Sequence, residues 1–343
     1  MNNGSRRRTH KRYKIRYDRL IALVLVLVVL IVIITSCTKS CSNKKDKETP
    51  QTSVVDELST DPSSAAVTDA SGQNITDSAG VAVTQPDAAV SAEYTSENVE
   101  YAQINNGDLV LVNSLYSYKF QEGDVTLTTL YDNRNNYYGV SDNVLQLDMN
   151  VITQLNALME AYSIANSNTD LRVICGYRTL EAQTDKYNNG KSKFQGGYSD
   201  YHTARSFDLG IFPDGPESNY YSPEGIYAWI DENAASYGFV LRYPDGKNSV
   251  TGEDARTYTY RYVGIPHAVY MKQNNLCLEE YIEQIKTYTN SNPLSVTSGV
   301  SQYQVYYVAA NVNNVTSVPV PSNKPYTISG NNVDGFIVTV TVA

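Results

Sequence analysis

The chain has 343 residues, a formal net charge of -9 at pH 7 and a pI near 4.9. Neutralising phosphates requires a surplus of Lys and Arg on one face, so this acidic balance excludes a nucleic-acid binder. The length admits two domains, but a long stretch near the N-terminus carries too little apolar content to fold.

The basic residues are concentrated at the start: Arg6, Arg7, Arg8, Lys11, Arg12, Lys14, Arg16 and Arg19 all precede the uncharged run from Leu20 to Ser36. As a helix this run rises about 25 Å, the low end of a bilayer span and longer than most cleaved signal cores. It reads as a signal anchor over 20–36, with 1–19 as a basic cytoplasmic tail. Fewer positive charges follow it (Lys39, Lys44, Lys45, Lys47). That asymmetry places the N-terminus inside and the rest of the chain outside the cell membrane as a single-pass protein. Ile34-Thr-Ser-Cys37 also resembles a lipidation site, a second route to the same tether.

Residues 37–98 are rich in Ser, Thr, Ala, Asp and Val, lack periodicity, and read as a disordered linker. Order is expected from about Tyr101. Asp108 to Asn113 has the composition of a short strand, and a helix starts near Asp148 with Ile152, Leu155, Met159 and Tyr162 on one face. Leu171 to Cys175 is a β-branched run, Thr179 caps a helix reaching about Tyr187, and Ser206 to Phe212 is a strand. Ser222-Pro223 carries a helix-start signal. Strands near Phe239–Arg242 and Thr259–Val263 complete a small, mostly antiparallel sheet, and a last helix covers about Leu278 to Tyr288. The class is α+β, with helices packed on that sheet over 99–290. From 291 to 343 alternating Val, Tyr and Thr with Gly-Asn-Asn and Asp-Gly turns predict a small β appendage.

The four cysteines fall into two pairs, Cys37 with Cys41 and Cys175 with Cys277. Outside the cytoplasm a disulfide is permitted, so Cys175 and Cys277 are either bridged or two buried thiols. None has zinc-ligand spacing. The 29 tyrosines suit exposed sheet surfaces and sugar or peptide contact, or reflect compositional bias.

Several separated blocks carry the chemistry: Cys175-Gly-Tyr-Arg-Thr179, then Gln183 and Tyr187, then Ser199 to Asp208, then Asn233 to Lys247, then Thr251 to Gly264. In this order and spacing they resemble the VanY-type D-alanyl-D-alanine carboxypeptidases, over roughly residues 145 to 290. The resemblance implies a VanY-like fold, a zinc ion held by two His and an Asp, a Glu as general base, and peptidoglycan stem peptides as substrate. Three protein ligands leave a fourth position for water, whose proton the carboxylate takes as it attacks the peptide carbonyl.

This sequence departs from that pattern without any change of spacing. Tyr201 stands at the first zinc His, Thr259 at the second, Arg256 at the general base, Tyr258 at a Trp and Ala204 at a Gly. Asp208 alone remains of the ligands, with His202, one position late, as a further candidate. Glu253 and Asp254 precede Arg256 and carry the nearest spare carboxylates, while without metal Asp208 would pair with Arg256 or Arg205. His10 falls in the cytoplasmic tail and His267 reads as a buried, hydrogen-bonded histidine. On the substrate side Tyr177, Arg178, Gln183 and Ser199 match the family, and Arg suits paired hydrogen bonds to a carboxylate. A purely structural Arg178–Gln183 pair is the competing reading.

The expectation is therefore a membrane-anchored member of this family that binds stem peptides with impaired or absent hydrolysis, no intact catalytic residue and no cofactor. The alternative is an active metallocarboxypeptidase that releases a C-terminal D-amino acid with zinc in an altered site. A third reading places an adhesive function in the β appendage.

Overall fold

The computed structural model describes residues 93–213 and 218–343. The predicted anchor at 20–36, the lipidation motif and most of the linker lie outside the described residues. Among the described residues no helix is long and apolar enough to cross a membrane.

Helix α1 (Met149–Asn166) begins where Asp148 accepts a hydrogen bond from the Asn150 amide, satisfying a donor that the first turn cannot pair internally. Its buried face carries Val151, Ile152, Leu155, Leu158, Met159 and Tyr162, as the spacing of three and four requires. Helix α2 (Leu180–Asn188) is capped by Thr179 Oγ1, which accepts from Ala182 N at 3.1 Å. The signal at Ser222-Pro223 does not start a helix. Ser222 donates to Glu224 instead, and α3 (Ala228–Asn233) follows a single 3-10 turn at Gly225–Tyr227. Helices α4 (Ile265–Gln273) and α5 (Leu278–Ile285) follow the central sheet in sequence.

Strand β1 (Tyr94–Val99) begins inside the segment expected to be linker and ends one residue beyond it. The central sheet comprises β2 (Gly139–Val140), β3 (Leu171–Cys175), β4 (Ser206–Ile211), β5 (Phe239–Tyr243) and β6 (Arg256–Tyr262), in the order β2-β3-β4-β6-β5. A short strand at Asn219–Tyr220 adds to β4. Only the β2–β3 pair is parallel. Phe207, Leu209 and Tyr260 pack against α1 and α3 in one apolar core. Burying each large side chain there is worth about 1.5 to 3 kcal/mol.

The C-terminal residues form β7 (Leu294–Ser298), β8 (Ser301–Ala309), β9 (Thr316–Pro321), β10 (Tyr326–Gly330) and β11 (Gly335–Thr341). They make an antiparallel sheet ordered β7-β8-β11-β10, while β9 pairs with β1 across six register positions. This sheet shares a core with the preceding helices, because Leu294, Val296, Val305 and Ile337 pack with Met271, Ile282 and Ile285.

The segment 108–113 is not a strand. Leu109 to Val112 are buried, yet their backbone groups are satisfied mainly by side chains and loops rather than by a ladder. Arg261 donates to the carbonyls of Asp108 and Val110, Arg242 to that of Val112 and Asn332 to that of Leu111. Buried backbone polar groups must find partners, and here two arginines substitute for a neighbouring strand.

Both arginines are themselves buried. Arg242 makes a paired contact with Glu279, Nη2 to Oε1 at 2.8 Å and Nη1 to Oε2 at 3.0 Å. Arg261 Nη1 donates to Asp200 Oδ1 at 2.6 Å, and Arg242 Nε lies 3.3 Å from the same oxygen. Burial pushes the Asp200 carboxyl up, but Arg261 and Arg242 outweigh it and hold it below its ordinary range.

Candidate functional site

Antiparallel register brings three chemistry-bearing side chains into line. Cys175 on β3 faces Asp208 on β4, and Asp208 faces Thr259 on β6. Directly opposed residues share one face of a sheet, so positions up to 84 residues apart in sequence become neighbours. Tyr201 joins them from the 3-10 turn Asp200–Thr203, which swings into β4 through Ala204 at φ 55°. That left-handed conformation costs an alanine about 1 to 2 kcal/mol, which explains why a glycine suits the position elsewhere in the family pattern.

Asp208 is 7% exposed. Its Oδ1 accepts the Tyr201 hydroxyl at 2.6 Å and the Thr259 hydroxyl at 2.8 Å. Burial raises the carboxyl above its ordinary range, and the two hydroxyl donors offset only part of that. Burial and the adjacent carboxylate also push the Tyr201 phenol well up, so it stays protonated and keeps donating. The two residues at the expected histidine positions thus cap Asp208 directly.

Arg178 lies over the Tyr201 ring, its guanidinium carbon 4.0 Å from the centroid. Nη1 donates to Gln183 Oε1 at 3.1 Å and Nη2 to Cys175 Sγ at 2.9 Å. Gln183 is fully buried and donates onward to Ser192 Oγ and Phe194 O, pinning the loop beyond α2. Ser199 is 2% exposed. Gln183 and Ser199 therefore do not face a ligand; Gln183 positions Arg178, while Arg178 and Tyr177 remain partly exposed.

Arg256 forms an ion pair with Glu253, and its guanidinium carbon sits 5.0 Å from the Tyr243 ring centroid. Lys193 Nζ lies 3.4 Å from Glu253 Oε1 and 2.5 Å from Asp254 Oδ2. The carboxylates that could have replaced the base are thus committed to cations. Nor does Asp208 pair with an arginine: Arg205 serves Asp108 at 2.8 Å and Asp124 at 3.3 Å.

His202 is fully buried, with both ring nitrogens occupied. Nδ1 meets the Arg178 carbonyl at 2.7 Å and Nε2 accepts from Gly197 N at 3.0 Å, which requires the neutral tautomer protonated on Nδ1. Burial accordingly lowers its pKa. No lone pair remains for a metal, so its candidacy as a ligand is corrected to a structural role. His267 is buried between Tyr281 Oη at 2.6 Å and Thr339 Oγ1 at 2.9 Å. Cys175 and Cys277 are both free thiols.

A zinc ion does not fit these residues. Asp208 has its Oδ1 capped by two hydroxyls, Glu253 is paired with Arg256 and Lys193, and Arg178 and Arg256 supply positive charge near Asp208. Among the described residues no group of three or more His, Cys, Asp or Glu is arranged to hold a metal. The sequence reading missed the Arg242–Glu279 and Arg261–Asp200 pairs, whose only signal was charge at strand positions that the fold buries.

Comparison with known proteins assigns the architecture. The α+β fold superposes on the vancomycin-resistance D,D-dipeptidase VanXYg, solved with a D-Ala-D-Ala phosphinate analog. The TM-score is 0.64 at 28% identity, covering 73% of this chain and 100% of that one. Residues 144–265 match the family model described as VanY, D-alanyl-D-alanine carboxypeptidase. A D-alanyl-D-alanine carboxypeptidase of Enterococcus faecium is 32% identical over 255 residues, 72% of this chain and 80% of that protein. The bifunctional D-Ala-D-Ala dipeptidase and carboxypeptidase VanXYC of Enterococcus gallinarum is 26% identical over 154 residues, 41% and 80% of the two chains. The chain belongs to the VanY family of D-alanyl-D-alanine carboxypeptidases.

Proposed function

We propose that this chain is a membrane-tethered member of the VanY family that binds the C-terminal ends of peptidoglycan stem peptides and does not hydrolyse them. The observation that carries the reading is the capping of Asp208 by Tyr201 and Thr259, with Arg256 where a base would stand. A zinc-bound water needs three free protein ligands and an uncommitted carboxylate to take its proton, whereas here both ring nitrogens of His202 are occupied and Glu253 is paired with Arg256. Losing a general base alone costs about a hundred- to ten-thousand-fold in rate.

The binding side of the site supports the other half of the reading. Two of the five N–H groups of Arg178 are spent on Gln183 and Cys175, which fix the plane of the guanidinium over Tyr201. The remaining donors suit a terminal carboxylate, and an arginine held in place loses less entropy on binding. The uncharged run at 20–36, preceded by the basic cluster, supports the tether.

The test combines three measurements on the full chain in detergent: metal content, D-alanine release from a stem pentapeptide, and binding of that peptide. The expected result is substoichiometric zinc, no turnover and saturable binding that Arg178→Ala weakens about 10- to 100-fold, the scale of a charge-assisted pair. One zinc per chain with turnover would overturn the reading.

A further inference from the structure

Among the described residues, five that are not glycine sit at positive φ: Phe120, Ser167, Ala204, Asn275 and Asn332. Four have a local reason. Ser167 ends α1 and Ala204 ends the 3-10 turn before β4, both as left-handed caps. Asn275 follows the end of α4 and Asn332 lies in the turn between β10 and β11, and asparagine tolerates this conformation. Phe120 is different. It is bulky, at φ 48°, and lies in the irregular stretch between the 3-10 turn Tyr101–Asn105 and the strand Leu127–Thr129, away from any helix end. A large side chain kept on a strained backbone points to a task for that side chain.

The ring of Phe120 lies against His202, with centroids 4.8 Å apart and planes inclined at 62°. It meets Tyr118 edge-on at the same distance, and Tyr118 runs nearly parallel to the imidazole at 6.4 Å. These are favoured aromatic geometries. Phe120 is 37% exposed, while the imidazole beneath it is fully buried. The two rings thus wall in His202 and fix the plane in which its nitrogens point.

His202 joins three segments. Nδ1–H donates to the Arg178 carbonyl, and Nε2 accepts from the Gly197 amide. The Gly197 carbonyl in turn accepts from the Tyr118 amide at 2.8 Å, closing a ring of contacts back to the stretch that carries Phe120. An imidazole free to turn would lose both of its bonds, because each needs the ring in one plane. Gln183 and Cys175 hold the guanidinium of Arg178, whereas His202 holds its backbone.

We propose that Phe120 is a positioning residue for the peptide site: its partly exposed ring clamps His202 in the orientation that fixes the backbone of Arg178, and so the guanidinium offered to a ligand carboxylate. The consequence for binding rests on the peptide reading above, but the clamp itself does not. A glycine or asparagine at this position would relax the backbone and release the imidazole.

The test uses the full chain in detergent with Phe120→Gly, which removes ring and strain together, and Phe120→Tyr, which keeps the ring. Amide hydrogen exchange at Gly197 reports the clamp, amides of β8 and β11 report global stability, and calorimetric titration with a stem pentapeptide reports the site. In Phe120→Gly the Gly197 amide should exchange at least about 10-fold faster while β8 and β11 stay protected as in the native chain. Peptide affinity should fall about 10-fold, the scale of one misplaced hydrogen-bonding group, and Phe120→Tyr should retain both properties. Phe120→Asn, which also tolerates positive φ, replaces the glycine variant if that one does not fold. Gly197 exchange unmoved in folded protein, protection lost equally in β8 and β11, or peptide affinity intact despite faster Gly197 exchange would each overturn the proposal. Faster exchange confined to Gly197, in a chain whose native form binds no peptide, would leave the clamp standing and count against the peptide reading alone.

Discussion

The hydroxyl of Tyr201 donates to Oδ1 of Asp208 at 2.6 Å, so the residue at an expected zinc-histidine position is spent on the surviving ligand. A buried carboxylate held by two neutral donors is poorly compensated compared with one that holds a metal ion. Its folded-state pKa lies above the ordinary value, because burial dominates. Folding therefore favours its protonated form; the stability this contributes is present below the ordinary aspartate range and is lost as pH rises through the raised value. Asp208→Asn keeps an acceptor for Tyr201 and Thr259 but removes the charge. Urea denaturation should show the variant more stable than the native chain at pH 7, with the gap closing in acid. A loss of stability at pH 7 would contradict the dominance of burial over the two hydroxyl donors at Asp208.

Restoring the missing chemistry is the converse experiment. The spacing around Tyr201, Arg256 and Thr259 is intact, and register places Thr259 opposite Asp208. Tyr201→His, Thr259→His and Arg256→Glu together should therefore raise zinc affinity above that of the native chain. Metal analysis after dialysis should give about one zinc per chain for the triple variant, within the three-ligand-plus-water geometry of catalytic zinc.

Arg242 and Glu279 form a buried pair that also anchors the segment at Val112. Truncating one partner leaves the other charged and unpaired. Glu279→Ala should cost about 3 to 5 kcal/mol in chemical denaturation. Replacing both residues by apolar ones of similar volume should recover a large part of that, except for the hydrogen bond to the Val112 carbonyl.

His267 contributes a pH dependence of the opposite sign to Asp208. Burial lowers its pKa from 6.5 to about 4, with only Asp108 opposing. The folded state keeps the ring neutral between those values while the unfolded chain takes up a proton. Stability is thus fully present above about pH 6.5 and falls as pH drops toward 4, by about 3 kcal/mol over the window. His267→Gln should flatten that slope in denaturation curves measured at a series of pH values, at some cost in stability at neutral pH.

Much of the fold could be read without coordinates, for local reasons. Asp148 and Thr179 announce their helices because a short side chain with an acceptor satisfies the first-turn amides. The run Leu171–Cys175 announces a strand by composition alone. Intact spacing with altered residues likewise made Tyr201, Arg256 and Thr259 stand out as departures from the family pattern. Where the local signal was ambiguous it misled: Ser222-Pro223 starts no helix, and Asp108 to Asn113 has strand composition but no strand partner.

By itself, then, the amino-acid sequence determined the class of fold and the family, since these depend on residue type and spacing. Tertiary structure decided what each buried polar group holds. It gave Asp208 two hydroxyls instead of an arginine, gave His202 to a loop instead of a metal, and gave the 108–113 backbone to Arg242 and Arg261. The physical reason is that a buried donor or acceptor must find a partner, and which one it finds is set by register between strands distant in sequence, which no local pattern encodes.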